Sequence, residues 1–417
     1  MKSSLSASRI AALLIAGAPF AAAADWTHVM GPGFNRKSAE TAPSPKAGAQ
    51  PRKVWEISTN GGFSSFVTGN GKAYTVHAVG GRETVVALDR KTGRQVWEAR
   101  LGPAQYRGGG ERNGGQDGPR VTPVFAGPRV FVLGGNFDLH ALESDTGKTI
   151  WTRDLLKEFG GQQIEWSNAA SPLVLEDRVL VSGGGAGQSF IAFRPDNGEV
   201  IWKKGSDRAT HSTPILATIH GQSQALFMTA RGLVSLDPKD GRELWHYPFE
   251  HRTSTAASPV VWQDIVNVSA AYGVGGGACK VTRTGDKWEV AELWRSRGDR
   301  DTAAHWSTAV AHDGYLYGCY GRANDSFGTG PFKCIDIRTG EIKWAQSGFG
   351  PSQVIMAGNR LVATTDAGRL VLIDPSPAAY REVAKLDGVE GKVWSSPAFS
   401  DGQVLLRSTS HGVCLEL

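Results

Sequence analysis

The chain has 417 residues, of which 53 are glycine and 20 are proline. This content of turn-forming residues excludes a helical bundle and is typical of an all-β protein with many tight turns. The formal net charge of +5 is spread along the chain rather than clustered, so no nucleic-acid partner is expected.

The first 24 residues predict a secretory signal peptide. Lys2 and Arg9 form a basic leader, residues 10–24 are apolar, and three small residues precede a cleavage site near Ala24. The apolar stretch is too short for a membrane anchor, and later apolar runs are broken by glycine or charge, so no transmembrane segment is expected. The protein should therefore be periplasmic or secreted, with residues 25–52 as an N-terminal extension of the folded domain.

A short phrase that ends in tryptophan recurs along the chain. It reads Asp-x-x-Thr-Gly-x-x-x-Trp at 89–97, and successive tryptophans stand 42 to 54 residues apart. A period of this size is typical of repeated four-stranded units. The tryptophans that mark the phrase, some in incomplete copies, are Trp55, Trp97, Trp151, Trp202, Trp245, Trp294 and Trp344.

Within one unit, apolar and polar residues alternate with the period of a strand. The unit that ends at Trp151 is predicted to have strands at 121–125, 129–133, 139–142 and 148–151. Gly147, in the last turn, is expected to take the left-handed conformation of a short hairpin loop. The tryptophan four residues later should face inward from the outermost strand and wedge between neighbouring units.

Two independent sequence features each indicate eight repeat units. A Ser/Thr-Pro phrase or a degenerate copy precedes each first strand, and eight fourth strands can be placed if residues 53–58 supply the last one. Pairing of that strand with Val413–Leu417 would close a ring and remove its exposed edges. The sequence thus predicts an all-β fold: a single eight-bladed β-propeller over residues 53–417, with the N-terminal strand completing the last blade.

These features resemble the pyrroloquinoline-quinone-like (PQQ-like) β-propeller repeat family. The repeated tryptophan phrase, the eight units closed across the termini, and Asp25-Trp26 followed by Gly31-Pro32-Gly33 are similar to exported bacterial members. The resemblance implies two unlike functions. Some members are calcium-dependent quinoprotein dehydrogenases, whereas others, similar to the outer-membrane assembly scaffold, bind proteins and hold no quinone.

The cysteines bear on this choice, because the resemblance to large quinoprotein alcohol dehydrogenases implies two adjacent cysteines in a strained disulfide. Cys279, Cys319, Cys334 and Cys414 are all separated in sequence. Three of them fall in a third-strand column where other units have alanine or serine, so they are expected to be small buried thiols. Cys334 should lie opposite Tyr317, which leaves Cys319 beyond comfortable disulfide reach.

Aromatic and polar residues that the repeat does not require precede several first strands. Alignment on the proline column places Phe63, Arg120, His211, Trp306 and Trp394 at one equivalent position, and Asn168 and His305 one residue earlier. Segments that lead into the blades converge near the axis, as in most propeller pockets. The predicted ligand-binding residues are Arg120, Trp166, Asn168, His211, His305, Trp306 and Trp394. The alternative is that these side chains only fill the channel as packing and bind no ligand.

The expected ligand at this site is a small molecule, a sugar-like compound, or a peptide or protein. Known catalytic motifs are absent from the sequence, and the catalytic residues are unknown. The sequence therefore favours a non-catalytic binding or scaffold propeller without cofactor or metal. The alternative is a calcium- and PQQ-dependent quinoprotein dehydrogenase that oxidises alcohols or sugars. In that case calcium could use oxygens from Glu165, Asn168, Asp299 and Asp301, and arginines such as Arg120, Arg208 or Arg252 could bind the quinone carboxylates.

Overall fold

The computed structural model describes residues 25–46, 48–107, 118–251, 253–321 and 330–417. Across these residues, eight antiparallel blades follow one another around the ring, seven of them four-stranded sheets and one carrying a short fifth strand, which confirms the predicted eight-bladed β-propeller. The predicted signal peptide lies outside the described residues. Within them, no helix is long and apolar enough to cross a membrane.

The strands of each blade run in order from the channel to the outside of the ring. Blade 1 contains Val67–Gly69, Lys72–Val79, Arg82–Asp89 and Gln95–Pro103. Blade 2 contains Val124–Ala126, Arg129–Leu133, Asp138–Glu143 and Thr149–Asp154, followed by the short helix Leu155–Glu158. Blade 3 contains Leu173–Val174, Val179–Ser182, Phe190–Phe193 and Val200–Lys204. Blade 4 contains Ile215–Ile219, Gln222–Thr229, Gly232–Leu236 and Glu243–Pro248.

The second half of the ring repeats this order. Blade 5 contains Val260–Trp262, Ile265–Ala270, Gly275–Thr284 and Lys287–Arg295. Blade 6 contains Val310–His312, Tyr315–Cys319, Phe332–Asp336 and Ile342–Gln346. Blade 7 contains Val354–Ala357, Arg360–Thr364, Leu370–Ile373 and Glu382–Leu386. Blade 8 contains Ala398–Ser400, Gln403–Arg407, His411–Glu416 and, as its outer strand, Arg52–Ser58.

The ring closes between the two ends of the chain, as predicted. Arg52–Ser58 pairs antiparallel with His411–Glu416, and Trp55 lies opposite Cys414. The pairing begins at Arg52, one residue before the boundary that the sequence suggested. Each of the eight blades is therefore a complete sheet.

In five of the repeats, the tryptophan packs against the turn glycine of the next blade. Trp97 lies under Gly147, and its Nε1 donates a hydrogen bond to the carbonyl of Ser144 at 3.0 Å. Gly147 has φ +73°, and a Cβ there would lie 2.5 Å from the indole ring, so both backbone and space require glycine. This arrangement confirms the predicted wedge, and it recurs between Trp55 and Gly93, Trp151 and Gly198, Trp202 and Gly241, and Trp294 and Gly340.

Blade 5 departs from this pattern because its last hairpin is longer. Its third and outer strands have ten and nine residues, and a Cβ added at Gly285 in their turn would meet no packed neighbour within 4 Å. Trp245 of blade 4 therefore has no turn above it. Its Nε1 donates instead to Gln224 Oε1 within its own blade, at 2.6 Å.

The Ser/Thr-Pro phrases form a second ring of contacts around the channel. The first strand of blade 2, predicted to start at residue 121, begins at Val124 instead. Pro123 has no N–H to donate to a neighbouring strand, and the hydroxyl of Thr122 accepts a hydrogen bond from the N–H of Ser65 in blade 1. Backbone N–H groups donate to side-chain hydroxyls of the adjacent blade at four points: Ser65 to Thr122, Ser171 to Thr213, Ser258 to Thr308, and Ser396 to Ser65.

The segment of residues 26–38, here the crossing segment, spans the channel. The N–H of Trp26 bonds to a threonine of blade 1 at 2.8 Å, and the ring of His28 bonds to a carbonyl that leads into blade 3 at 3.3 Å. On the far side, the buried guanidinium of Arg36 donates to a carbonyl of blade 7 and a serine of blade 8, both at 2.8 Å. Lys37–Ser38 then adds a parallel strand to Val354–Ala357. Residues 26–38 of the predicted extension are therefore closely packed into the ring.

The four cysteines are buried thiols, as expected. Cys334 lies opposite Tyr317, and Cys319 lies opposite Phe332, two residues further along the strand pair. Burial raises the pKa of the Cys279 and Cys319 thiols to about 12, so the reactive thiolate is disfavoured.

Candidate functional site

A row of aromatic rings crosses the mouth, which we define as the end of the channel where the chain leads into each inner strand. Phe63 stacks on Trp394 with ring centroids 4.8 Å apart, and Trp394 contacts Trp306 at 4.5 Å. Trp306 contacts His305 at 4.3 Å. These four residues come from the segments that lead into blades 1, 8 and 6, so the ring fold brings together positions far apart in sequence.

The row continues through a residue that the repeat alignment did not identify. Tyr272 contacts His305 edge to face at 4.8 Å and stacks on Trp166 at 6.0 Å. It lies between the second and third strands of blade 5, and such loops point to the same end of the ring as the lead-in segments. The signal available in the sequence was an aromatic residue beside glycine at that loop position. We define the aromatic row as Phe63, Trp166, Tyr272, His305, Trp306 and Trp394, all of which are partly exposed.

Trp166 is held in an unusual backbone conformation. Both Trp166 and Ser167 have φ +61°, in the left-handed region that non-glycine residues rarely occupy. The N–H of Trp166 donates to the carbonyl of Arg107 at 2.7 Å, and the N–H of Arg107 donates to Ser167 Oγ at 3.1 Å. Strain of this kind costs of order 1–3 kcal/mol per residue and is concentrated at functional sites. The surrounding bonds thus fix Trp166 on the wall of the mouth.

Two predicted site residues support the site from behind. Both ring nitrogens of His211 are used, one with the carbonyl of Glu165 at 2.7 Å and the other with Ser254 Oγ at 2.8 Å. Burial lowers the pKa of His211 to about 4, so the ring is neutral at ordinary pH. Asn168 is 1% exposed, and its amide bonds only to backbone groups, including the carbonyl of Leu133 at 3.0 Å. These side chains position the loop that carries Trp166.

Cationic groups border the aromatic row. Arg120 donates to the carbonyl of Trp166 at 3.0 Å, and its guanidinium lies 5.3 Å from the centre of the Tyr106 ring. The ammonium of Lys392 lies 4.5 Å from the centre of the Trp394 ring. Among the described residues, Trp394 Nε1 is buried without a hydrogen-bond partner. The mouth therefore offers aromatic faces and positive charge.

A buried carboxyl group lies beneath the Tyr106 side of the mouth. Glu83 accepts hydrogen bonds from the hydroxyl of Tyr106 at 2.9 Å and the N–H of Gly135 at 3.0 Å. Its side chain is fully buried, and this burial, aided by the nearby Asp138, raises the pKa of Glu83 to about 7. Residues 108–117 of the same long segment lie outside the described residues.

The oxygen-bearing side chains proposed for calcium do not form one ligand set. The Asn168 amide is committed to backbone bonds, Glu165 pairs with Arg107 at 3.4 Å, and Asp299 accepts from the N–H of Gly273 at 2.7 Å. In the described ranges, no group of three or more His, Cys, Asp or Glu residues could hold a metal ion. Of the arginines considered for a quinone, Arg252 lies outside the described residues.

Comparison with known proteins supports the repeat family. The sequence profile of the family described as "Outer membrane protein assembly factor BamB" matches residues 81–346. The chain is 26% identical over 283 residues to the outer membrane protein assembly factor BamB of Burkholderia pseudomallei, which covers 58% of this chain and 72% of that protein.

Quinoprotein dehydrogenases are similar over a shorter stretch. The chain is 29% identical over 146 residues to the quinoprotein ethanol dehydrogenase of Pseudomonas putida and 27% identical over 146 residues to the 1-butanol dehydrogenase (quinone) of Thauera butanivorans. Each match covers 31% of this chain but 21% of the dehydrogenase, so the chain spans about a fifth of the length of these relatives.

Solved structures of both groups share the fold. BamB from Moraxella catarrhalis superposes with a TM-score of 0.61 at 13% identity, covering 88% of this chain and 98% of that one. The quinohemoprotein alcohol dehydrogenase from Comamonas testosteroni gives a TM-score of 0.63 at 14% identity, covering 94% and 80%. At these identities the likeness concerns the fold alone.

Proposed function

Since this chain belongs to the family of PQQ-like propellers described as the outer membrane protein assembly factor BamB, we propose that it is an exported, non-catalytic propeller that binds a partner protein at its mouth. The observation that carries this proposal is the aromatic row. Its six side chains come from five blades, remain partly exposed, and present a continuous surface on a rigid ring.

The chemistry of the mouth favours an extended segment with aromatic and acidic side chains. Aromatic residues supply large contact area at low entropic cost, and they are enriched where binding energy concentrates. Arg120 and Lys392 would attract carboxylates of the bound segment. The partner would thus be held by stacking and by charge.

We assign no resident quinone or calcium ion to this site. A calcium-dependent quinoprotein site needs several oxygen ligands in one place, whereas the Asn168 amide and the Asp299 carboxylate already bond to backbone groups. The dehydrogenase similarity covers about a fifth of those enzymes, and the four cysteines of this chain are all separated in sequence, unlike the adjacent pair that the resemblance to the large enzymes implies. The oxidoreductase alternative therefore has weaker support than the binding function.

A peptide-display selection on the purified full chain tests the proposal. We expect selected peptides to be rich in aromatic and acidic residues, and Trp306→Ala and Trp394→Ala to weaken their binding at least tenfold. The matched control is Trp288→Ala, which removes a partly exposed tryptophan from the outer strand of blade 5, away from the mouth. The peptide affinity of the Trp288→Ala variant should equal that of the wild type.

Two results would contradict the proposal. If neither mouth substitution changes the affinity of the selected peptides, the binding surface lies elsewhere. Dye-linked alcohol oxidation that requires added PQQ and calcium, and that is lost in Trp306→Ala but retained in Trp288→Ala, would establish the dehydrogenase instead.

A further inference from the structure

A second pocket lies beside the crossing segment, on the side of the channel where the inner strands of blades 4, 5 and 6 end. Its volume is about 510 Å³, within the range of roughly 300–1,000 Å³ that small-molecule sites occupy. Met30 and Phe34 of the crossing segment form one wall, and Ile215, Val260 and Ala311 belong to the others. The pocket is therefore mainly apolar and separate from the aromatic row.

One cationic group lines this pocket. Among its lining residues, all of which the structure describes, Lys37 is the residue with a formal charge, while Asn35, Thr218 and Gln263 supply neutral polar groups. Lys37 is half-buried, and this burial lowers its pKa, although Asp313 nearby acts in the opposite direction. An ammonium that has lost part of its hydration favours a ligand that brings an anionic group.

Trp262 supplies a flat apolar wall opposite the crossing segment. It is partly exposed in the pocket, and the guanidinium of Arg338 lies 5.9 Å from the centre of its ring. The repeat phrase does not require a tryptophan here, since Trp262 ends an inner strand rather than an outer one. Aromatic side chains in such pockets pack against the apolar body of a ligand.

We propose that this pocket binds a small amphiphilic carboxylate, with the apolar body of the ligand against Trp262 and Ile215 and the carboxylate on the Lys37 ammonium. The pocket volume limits the ligand to a short chain or a small ring system. The assignment is independent of the protein partner at the mouth, because different residues form the two sites.

Calorimetric titration of the full chain with decanoate and with decanol tests this assignment. The two probes share a ten-carbon chain and differ in charge. We expect saturable decanoate binding at least tenfold tighter than decanol binding, since a hydrogen bond to a charged group supplies about this difference. Lys37→Met should abolish the preference while keeping the apolar stem. Lys91→Met, on an exposed turn of blade 1, should leave it unchanged.

A steric variant gives a second readout. Ala217 lines the pocket and is partly exposed, so Ala217→Phe should fill it and weaken the binding of both probes at an unchanged melting temperature. Absence of saturable decanoate binding, or equal affinity for the two probes, would overturn the proposal. Lys37→Met should also retain mouth-dependent peptide binding, which keeps this test distinct from that of the proposed function.

Discussion

The turn glycine of each repeat meets two separate demands, one on backbone conformation and one on the space beside it. Gly147 faces both, whereas Gly285 has φ +62° but open space where a Cβ would lie. Gly285→Ala should therefore cost about 1 kcal/mol from backbone strain alone. Gly147→Ala should cost about 1–3 kcal/mol more, because the new methyl group meets Trp97. Urea denaturation measures both, and equal losses would show that the tryptophan does not exclude a side chain.

Glu83 should give the protein a measurable pH dependence. Its pKa is raised from 4.5 to about 7, so the native state holds this proton over a pH range in which the unfolded state releases it. The stabilising contribution is complete below about pH 4.5 and declines as the pH rises to 7, by roughly 3 kcal/mol in total. In the Glu83→Gln variant this decline should disappear. The stability of the variant relative to the wild type should therefore increase as the pH rises.

Melting temperatures from pH 4.5 to 7.5 test this expectation. Glu98→Gln, on the exposed outer strand of the same blade, is the control and should follow the wild-type profile. A Glu83→Gln profile parallel to that of the wild type would mean that the carboxyl group titrates alike in the folded and unfolded states.

At the scale of the strand, ring closure depends on His411–Glu416. This strand pairs with both Gln403–Arg407 and Arg52–Ser58, so its loss would expose two strand edges and separate the outer strand from blade 8. Deletion of Val413–Leu417 should therefore abolish cooperative unfolding, as followed by circular dichroism during heating. Deletion of Leu417 alone, outside the strand, is the control and should preserve the transition. An unchanged transition in the longer deletion would contradict closure through this strand.

The repeats made the strands predictable from the sequence. The path of the crossing segment could not be predicted in the same way. Seven repeat tryptophans stand 42 to 54 residues apart, and six of the hairpin turns carry a glycine, so the register of one unit transfers to the others. The crossing segment contains no repeat, and its contacts are with residues as far away as Ser396, 360 positions along the chain. No local pattern reports such a contact. The sequence therefore indicated a ring but not what spans its channel.

The same distinction applies to the mouth. Alignment on the proline column could place Trp306, Trp394 and His305 together, because lead-in segments occupy equivalent positions in every blade. It could not tell that His211 and Asn168 turn into the protein, since hydrogen bonding depends on neighbours that the alignment does not include. The alignment could not place Tyr272 at the mouth, because the loop that carries it has no fixed register in the repeat.

For the whole molecule, the four thiols provide a report on global stability. They lie in blades 5, 6 and 8 and are all buried, with the pKa of each raised by burial. Without reductant, a thiol reagent should label none of them in the native protein and all four after denaturation. Fewer than four labelled thiols after denaturation would indicate a disulfide. Rapid labelling of Cys414 alone under native conditions would show that blade 8 opens separately from the rest.

The closure of blade 8 also has a consequence for how the protein reaches its native state. Arg52 and Glu416 form an ion pair across 364 positions, whereas the other blades are built from neighbouring hairpins. The local sheets can form early, but the final one waits for an encounter between distant parts of the chain, which is entropically slow. Until then the unpaired strand Arg52–Ser58 can pair with another molecule. Protein concentration during refolding thus decides whether this strand finds its own partner or joins the ring of a neighbour.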